Sequence, residues 1–230
     1  MPEETFSAEQ ARSDAALQAQ VEQYRRRTNQ LEALSRVGQA ASSSLALTEV
    51  LDRVLDATLT VTEMEAGEIW LLDPAVGEVR LARHRGLHSE AFWERQRFGP
   101  GEGIPGLVVE TGESVVIPDL AEEPRFLRHS VVAAGFKTFV AFPLLGKGEV
   151  TGCLNVAERR TRVLTEDDVQ LLSAIGAVVG MAVTNAHLYE RLRVATQQLE
   201  VATRQLETKL SELEQTQAQL TAMERTRTAD

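Results

Sequence analysis

Leu192, Leu199, Leu206, Leu213 and Leu220 recur every seven residues inside a helical pattern that starts near Thr165 and meets no proline before Asp230. A continuous helix of about 65 residues would reach roughly 95 Å at 1.5 Å rise per residue, farther than one small domain can cover. The leucine stripe is narrow and its flanks are polar, so it predicts a coiled-coil seam and a partner helix. With the leucines at position a, the d set is Ala195, Ala202, Lys209, Thr216 and Met223; with the leucines at d, the a set begins Thr196, Thr203, Leu210. Both phases remain open. Near the other end, Leu17, Val21, Tyr24, Thr28 and Leu31 step alternately by four and three among Gln, Glu, Arg and Ala, which predicts a second seam.

Between the two seams the hydrophobic pattern changes. Leu47, Val50, Leu51, Val54, Leu55 and Leu59 form a wider apolar face, suited to a helix lying on a domain. After Glu65 come short apolar runs broken by turn residues, the mark of strands. Runs at 69–72 and 79–81 flank Asp73-Pro74 and Gly77 as one hairpin; runs at 138–144 and 150–156 flank Gly146-Lys147-Gly148 as another, with 115–117 as a further strand. Thr165-Glu166-Asp167-Asp168 resembles a capping box that opens the long helix. The expected organisation is a helical segment at 1–38, an α+β domain at 39–187 and a coiled-coil linker at 188–230.

The balance of 24 Lys and Arg against 34 Asp and Glu gives a net charge of −10, which argues against a nucleic-acid partner. One cysteine, Cys153, excludes an intramolecular disulfide and any multi-thiolate zinc cluster. Met1-Pro2-Glu3-Glu4 is acidic where an export signal is basic and then apolar, so a cytoplasmic location is expected. The most apolar stretch, 174–183, is about half of what a bilayer-spanning helix needs, so no membrane span is expected.

The motifs that suggest chemistry mostly have plainer readings. Gly101-Glu102-Gly103-Ile104-Pro105-Gly106 is a literal G-x-G-x-x-G, but no buried strand precedes it, and Glu102 would repel a pyrophosphate. It reads as a loop starting a short helix with Pro105 in the first turn. His84 and His88 share a four-residue step, yet Gly86 between them argues against a helical metal motif and for a surface role. His129 lies in 124–135 with Phe126, Val131 and Val132, a segment expected to cross a sheet edge, where an imidazole meets a ligand or serves the structure. Cys153, between Gly152 and Leu154, reads as a small buried hydrophobe. Arg80, Arg83, Arg85, Arg95 and Arg97 read as solvated surface balanced by Glu90 and Glu94. No nucleophile elbow or proton-transfer set is visible, so this chain is not expected to be an enzyme.

Phe98-Gly99-Pro100-Gly101-Glu102-Gly103-Ile104-Pro105-Gly106, then Gly112-Glu113, Val115-Val116-Ile117-Pro118-Asp119 and Pro124-Arg125-Phe126, resemble the middle of a GAF domain. The strand ending in Pro143-Leu144, the run Gly152-Cys153-Leu154-Asn155-Val156, Leu164 to Asp168 and Asn185-Ala186-His187-Leu188-Tyr189 resemble its end. The likeness covers residues 35–190. It implies an antiparallel sheet with helices on one face and, on the other, a pocket for a small molecule or chromophore roofed by 119–135. Trp70, Phe126, His129, Phe136, Val140 and Phe142 are the lining that the resemblance implies. The cysteines of the free-methionine sulfoxide reductases and the roof cysteine of bilin carriers are missing here, and the Asn-Lys-Phe-Asp-Glu set of cyclic-nucleotide binders is not evident. Haem-bearing members take an axial histidine from the roof; His129 is the candidate, about a helical turn from the expected place.

The resemblance implies the sensory and dimerisation region of a bacterial signalling protein, a two-component sensor histidine kinase, whose output domain follows the linker. The cofactor is unknown and the small-molecule ligand unidentified. The chain is expected to form a parallel homodimer, Leu17, Val21 and Leu31 in one seam and Leu192, Leu199, Leu206, Leu213 and Leu220 in the other. The alternatives are an unliganded dimer scaffold, a haem-based redox or gas sensor and, last, an enzyme acting in the cavity.

Overall fold

The computed structural model describes residues 2–44 and 46–227, in two compact units that divide between Ala186 and His187. In the first unit, helices α1 (Pro2–Ala41) and α2 (Leu47–Thr62) lead into strands β1 (Ala66–Asp73) and β2 (Glu78–Gly86). Short α3 (Ser89–Phe92), β3 (Arg97–Phe98), α4 (Gly103–Thr111), β4 (Val115–Ile117), a 3₁₀ turn (Leu120–Glu122) and α5 (His129–Ala133) follow. Strands β5 (Thr138–Gly146) and β6 (Glu149–Glu158) then lead to α6 (Glu166–Arg227). The six strands form one antiparallel sheet in the order β3-β2-β1-β6-β5-β4, the α+β arrangement that the resemblance implies.

One face of the sheet carries the long helices. Val50, Leu51, Val54 and Leu55, spaced three and four apart on α2, meet Ile69 of β1, Val140, Phe142 and Leu144 of β5, and Leu154 and Val156 of β6. Val37 of α1 and Leu172, Ile175, Val179 and Val183 of α6 complete this layer. Much of the apolar stretch at 174–183 is thus spent on the domain core. The start of α6 is a capping box: the Asp168 N–H donates to Thr165 Oγ1 at 3.2 Å, and the Thr165 N–H donates to Asp168 Oδ2 at 2.9 Å.

Helix α6 approaches β5 closely because two glycines face it. A Cβ added at Gly180 would lie 2.5 Å from the Leu145 carbonyl oxygen, and one at Gly176 would lie 2.6 Å from the Pro143 carbonyl oxygen. Gly180→Ala gains about 1 kcal/mol of intrinsic helix propensity but forces the new methyl against backbone, so a net loss of about 1–3 kcal/mol is expected. Urea denaturation of the two proteins measures it; a Gly180→Ala protein as stable as the parent would contradict this packing.

The opposite face is covered by the short elements. Trp70, Val79, Leu81, Phe92, Phe98, Ile104, Val108, Phe126, Val131, Phe136 and Phe139 form a second apolar cluster there. The Gly-rich loop is structural: the Glu102 carboxylate accepts the Gly99 N–H at 3.0 Å and pairs with Arg95, and Pro105 sits inside α4. Gly106 lets α4 touch the preceding loop, since a Cβ there would run into the Gly99 carbonyl oxygen.

A buried polar cluster under the roof

Strand alternation decides what faces the roof. In β1, Ala66, Glu68 and Trp70 share that face, while Ile69 meets the long helices. In β6, Cys153, Asn155 and Ala157 do, and in β5, Phe139 and Ala141 do. A register shift opposite Ile69 and Trp70 lets β2 present both Leu81 and His84, three residues apart. His84, Glu68 and Asn155 therefore stand in register across three adjacent strands.

Arg128, from the segment just before α5, closes over this polar row. Its Nη1 donates to Glu68 Oε2 at 2.6 Å and its Nη2 to Glu68 Oε1 at 2.5 Å, a bidentate pair with both side chains 1% exposed. Nη1 also donates to the Phe92 carbonyl at 3.2 Å, and Asn155 Nδ2 donates to Glu68 Oε1 at 2.8 Å. The guanidinium carbon lies 5.3 Å from the ring centroids of Trp70 and Phe126 and 5.4 Å from that of Phe92. These are cation–π distances. Three more buried polar atoms, Trp70 Nε1, His84 Nε2 and Asn155 Oδ1, have no hydrogen-bond partner among the described residues. Buried groups left so are costly and need a reason.

The expected lining divides. Trp70, Phe126 and Phe136 meet under the roof. Val140 and Phe142 do not: they lie on the helix face with α2 and α6, and the residues of β5 that face the roof are Phe139 and Ala141. Strand β5 is buried on both faces from Thr138 to Leu144, so its sequence carries no polar alternation to set the parity. His129 is also corrected. It opens α5 with its side chain exposed, and its neighbour Arg128 takes the interior position. An outward His129 does not offer an axial ligand to a group under the roof.

Glu68 and Arg128 were not among the expected site residues. The signal that marks the cluster is a lone carboxylate in an apolar strand, Glu68 between Gly67 and Ile69, and a lone amide, Asn155 between Leu154 and Val156; Arg128 carries no such signal. His84, expected at the surface, is 7% exposed and stacks on Phe92 with ring centroids 4.6 Å apart. The basic cluster is surface, but its acidic partners differ from those expected: Arg83 and Arg85 pair with Asp52, Arg85 also with Asp56, and Arg80 with Asp73. Burial pushes the Cys153 thiol well up, which leaves it a poor nucleophile.

Burial lowers the pKa of His84; Glu68 opposes that shift, and Arg128 and Arg85 reinforce it. A histidine whose folded value is depressed gives stability that is full above the unfolded value of about 6.5 and is lost as pH falls through that value toward the folded one. The urea midpoint should therefore drop between pH 7.5 and 5.5, and drop less in His84→Gln. Equal slopes in the two proteins would remove His84 from the account.

The described residues expected in the two seams are exposed apolar stripes. Leu17, Val21 and Leu31 of α1 are exposed in the single chain, as are Leu192, Leu199, Leu206 and Leu213 of the second unit, at 63–69%. The Leu220 side chain lies outside the described residues.

Comparison with known proteins agrees with this geometry. The chain is 32% identical over 178 residues to the Nif-specific regulatory protein of Azospirillum lipoferum, covering 72% of this chain and 28% of that protein. It is 27% identical over 146 residues to the probable 3',5'-cyclic phosphodiesterase pde-5 of Caenorhabditis elegans, covering 62% of this chain and 20% of that protein. The chain thus spans less than a third of the length of these relatives. Among solved structures, the GAF domain of a phosphoenolpyruvate-protein phosphotransferase from Coxiella burnetii superposes with a TM-score of 0.63 at 21% identity, covering 71% of this chain and 98% of that one. The corresponding Acinetobacter domain gives 0.60 at 23% identity, covering 70% and 97%. Residues 44–184 match the sequence profile of the GAF domain, and the chain belongs to that family.

Proposed function

We propose that this chain is the ligand-sensing and dimerising part of a larger signalling protein, in which the state of the cluster under the roof biases paired helices leading to an output domain. The observation that carries the reading is the buried Glu68–Arg128–Asn155 cluster with its unpartnered Trp70, His84 and Asn155 atoms. Apolar residues of similar volume serve stability as well as or better than a buried ion pair. Three unpartnered atoms gathered around one buried ion pair favour a ligand-binding role over a plain scaffold.

The relatives support regulation in general, one being named a Nif-specific regulatory protein and another a cyclic phosphodiesterase. A sensor histidine kinase is the narrower reading of the output. It is supported by the linker-like helix and by fold likeness to a domain of a putative two-component sensor histidine kinase from Sinorhizobium meliloti, at a TM-score of 0.53 and 21% identity. A ligand acts on such helices only if it binds one arrangement more tightly than another. The test is a mass-spectrometric inventory of small molecules released from the chain purified from cells. A stoichiometric compound is expected; none released, and none binding from a cell extract, would overturn the sensory reading.

A further inference from the structure

We propose that the space under the roof is a site for an organic cation of the guanidinium type, and that Arg128 fills it in the unliganded state as a tethered competitor. This rests on the sensory reading and adds to it the charge and shape of the ligand.

The anion belongs to the frame and the cation to the cover. Glu68 sits in the middle of β1, paired on one side with β2 and on the other with β6, and its carboxylate is further held by Asn155 Nδ2. Arg128 joins no strand; it precedes the five-residue α5 on a long side chain. When the two separate, the carboxylate stays in place. What remains is a desolvated carboxylate surrounded by the rings of Trp70, Phe92 and Phe126, and such a site selects a cation. An incoming guanidinium replaces another, so the exchange adds no new desolvation of Glu68.

The unpartnered atoms show that Arg128 is an incomplete occupant. Asn155 Nδ2 donates to a carboxylate that only accepts, which orients the amide and leaves Oδ1 as an acceptor without a donor. An untethered alkylguanidinium carries the same five N–H donors as an arginine side chain but, free of the backbone, can shift to reach acceptors that Arg128 misses. Trp70 Nε1 needs an acceptor, which a hydroxyl or carboxylate elsewhere on the ligand supplies.

A mouth lies above. A cleft of about 590 Å³ is lined by His88, Ser89, Glu90, Ala91 and Ser130, along the seam between α3 and α5. Two hydrogen bonds tie that seam: Arg128 Nη1 to the Phe92 carbonyl, and the Ser130 N–H to Glu94 Oε2 at 3.1 Å. Both come from the 128–130 stretch, so displacing Arg128 also loosens the cover. Glu90 and Glu94 place negative charge beside this cleft, which favours a cation there.

The test is calorimetric titration of the full chain with n-propylguanidinium chloride, with sodium chloride holding ionic strength constant and sodium succinate as the anionic probe. Removing the competitor raises the open fraction, so Arg128→Gln should bind n-propylguanidinium about tenfold more tightly than the parent. Binding should vanish in Glu68→Gln/Arg128→Gln, and succinate should bind neither protein. The Trp70 indole N–H resonance of the unaltered chain should also shift on saturation with n-propylguanidinium, a readout that stands if Arg128→Gln fails to fold. Equal affinity of parent and Arg128→Gln, binding that survives loss of Glu68, or an unmoved Trp70 resonance would each overturn the assignment. Succinate binding that is lost in Arg128→Gln would overturn it as well. That last result would leave sensing intact and make Arg128 the receptor of an anion, whereas an empty metabolite inventory counts against sensing itself.

Discussion

Replacing Glu68 with Leu while Arg128 stays in place is expected to lower the unfolding free energy by about 3–5 kcal/mol, because a guanidinium is left buried without its counter-ion. The loss is large because nothing near Arg128 takes over: its remaining acceptor is the single Phe92 carbonyl, and Asn155 Nδ2 loses its acceptor too. The paired replacement Glu68→Leu/Arg128→Met should recover most of the loss, since two apolar groups of similar volume need no partners. Urea denaturation of the three proteins closes the comparison. A single variant within about 1 kcal/mol of the parent would mean the pair is solvated, as exposed pairs are.

The second large effect concerns the leucine stripe. Leu199→Asp/Leu206→Asp is expected to convert a dimer into a monomer of 25.3 kDa on size exclusion with light scattering. Leu199 and Leu206 are exposed in the single chain, and in a parallel pair each would fill the hole formed by the partner helix. Two aspartates at those positions would bury four carboxylates across one seam without partners, a cost that the remaining leucines do not offset. An unchanged dimer mass would move the interface elsewhere, and a monomeric parent would remove it.

Much of the architecture was legible because local periodicity reports it. Short apolar runs marked five of the six strands, with β3, only two residues long, too short to leave a pattern. The capping box at Thr165 and the absence of proline after it foretold α6. Linked glycine, proline and strand motifs carried the family resemblance, and with it the roofed face of the sheet.

The candidate site was only half legible. Trp70, Phe126 and Phe136 were found as large apolar residues near the expected roof, but Val140 and Phe142 were placed on the wrong face of a strand that is apolar on both. His129 drew attention as a titratable roof residue, and the interior position belongs to the arginine beside it. The rule that arginines lie outside argues against Arg128 unless its counter-ion is known.

Sequence alone determined the long helices, five of the six strands and the apolar stripes, because each depends on neighbours within a few residues and on 3.6- or two-residue repeats. Tertiary structure decided which face of each strand looks at the roof, and that Glu68 meets Arg128 across 60 residues of chain. The physical reason is that a strand buried on both sides has no polar face to set its parity. The sheet register and the bulge opposite Ile69 and Trp70 set it instead, and so bring three lone polar residues under one guanidinium.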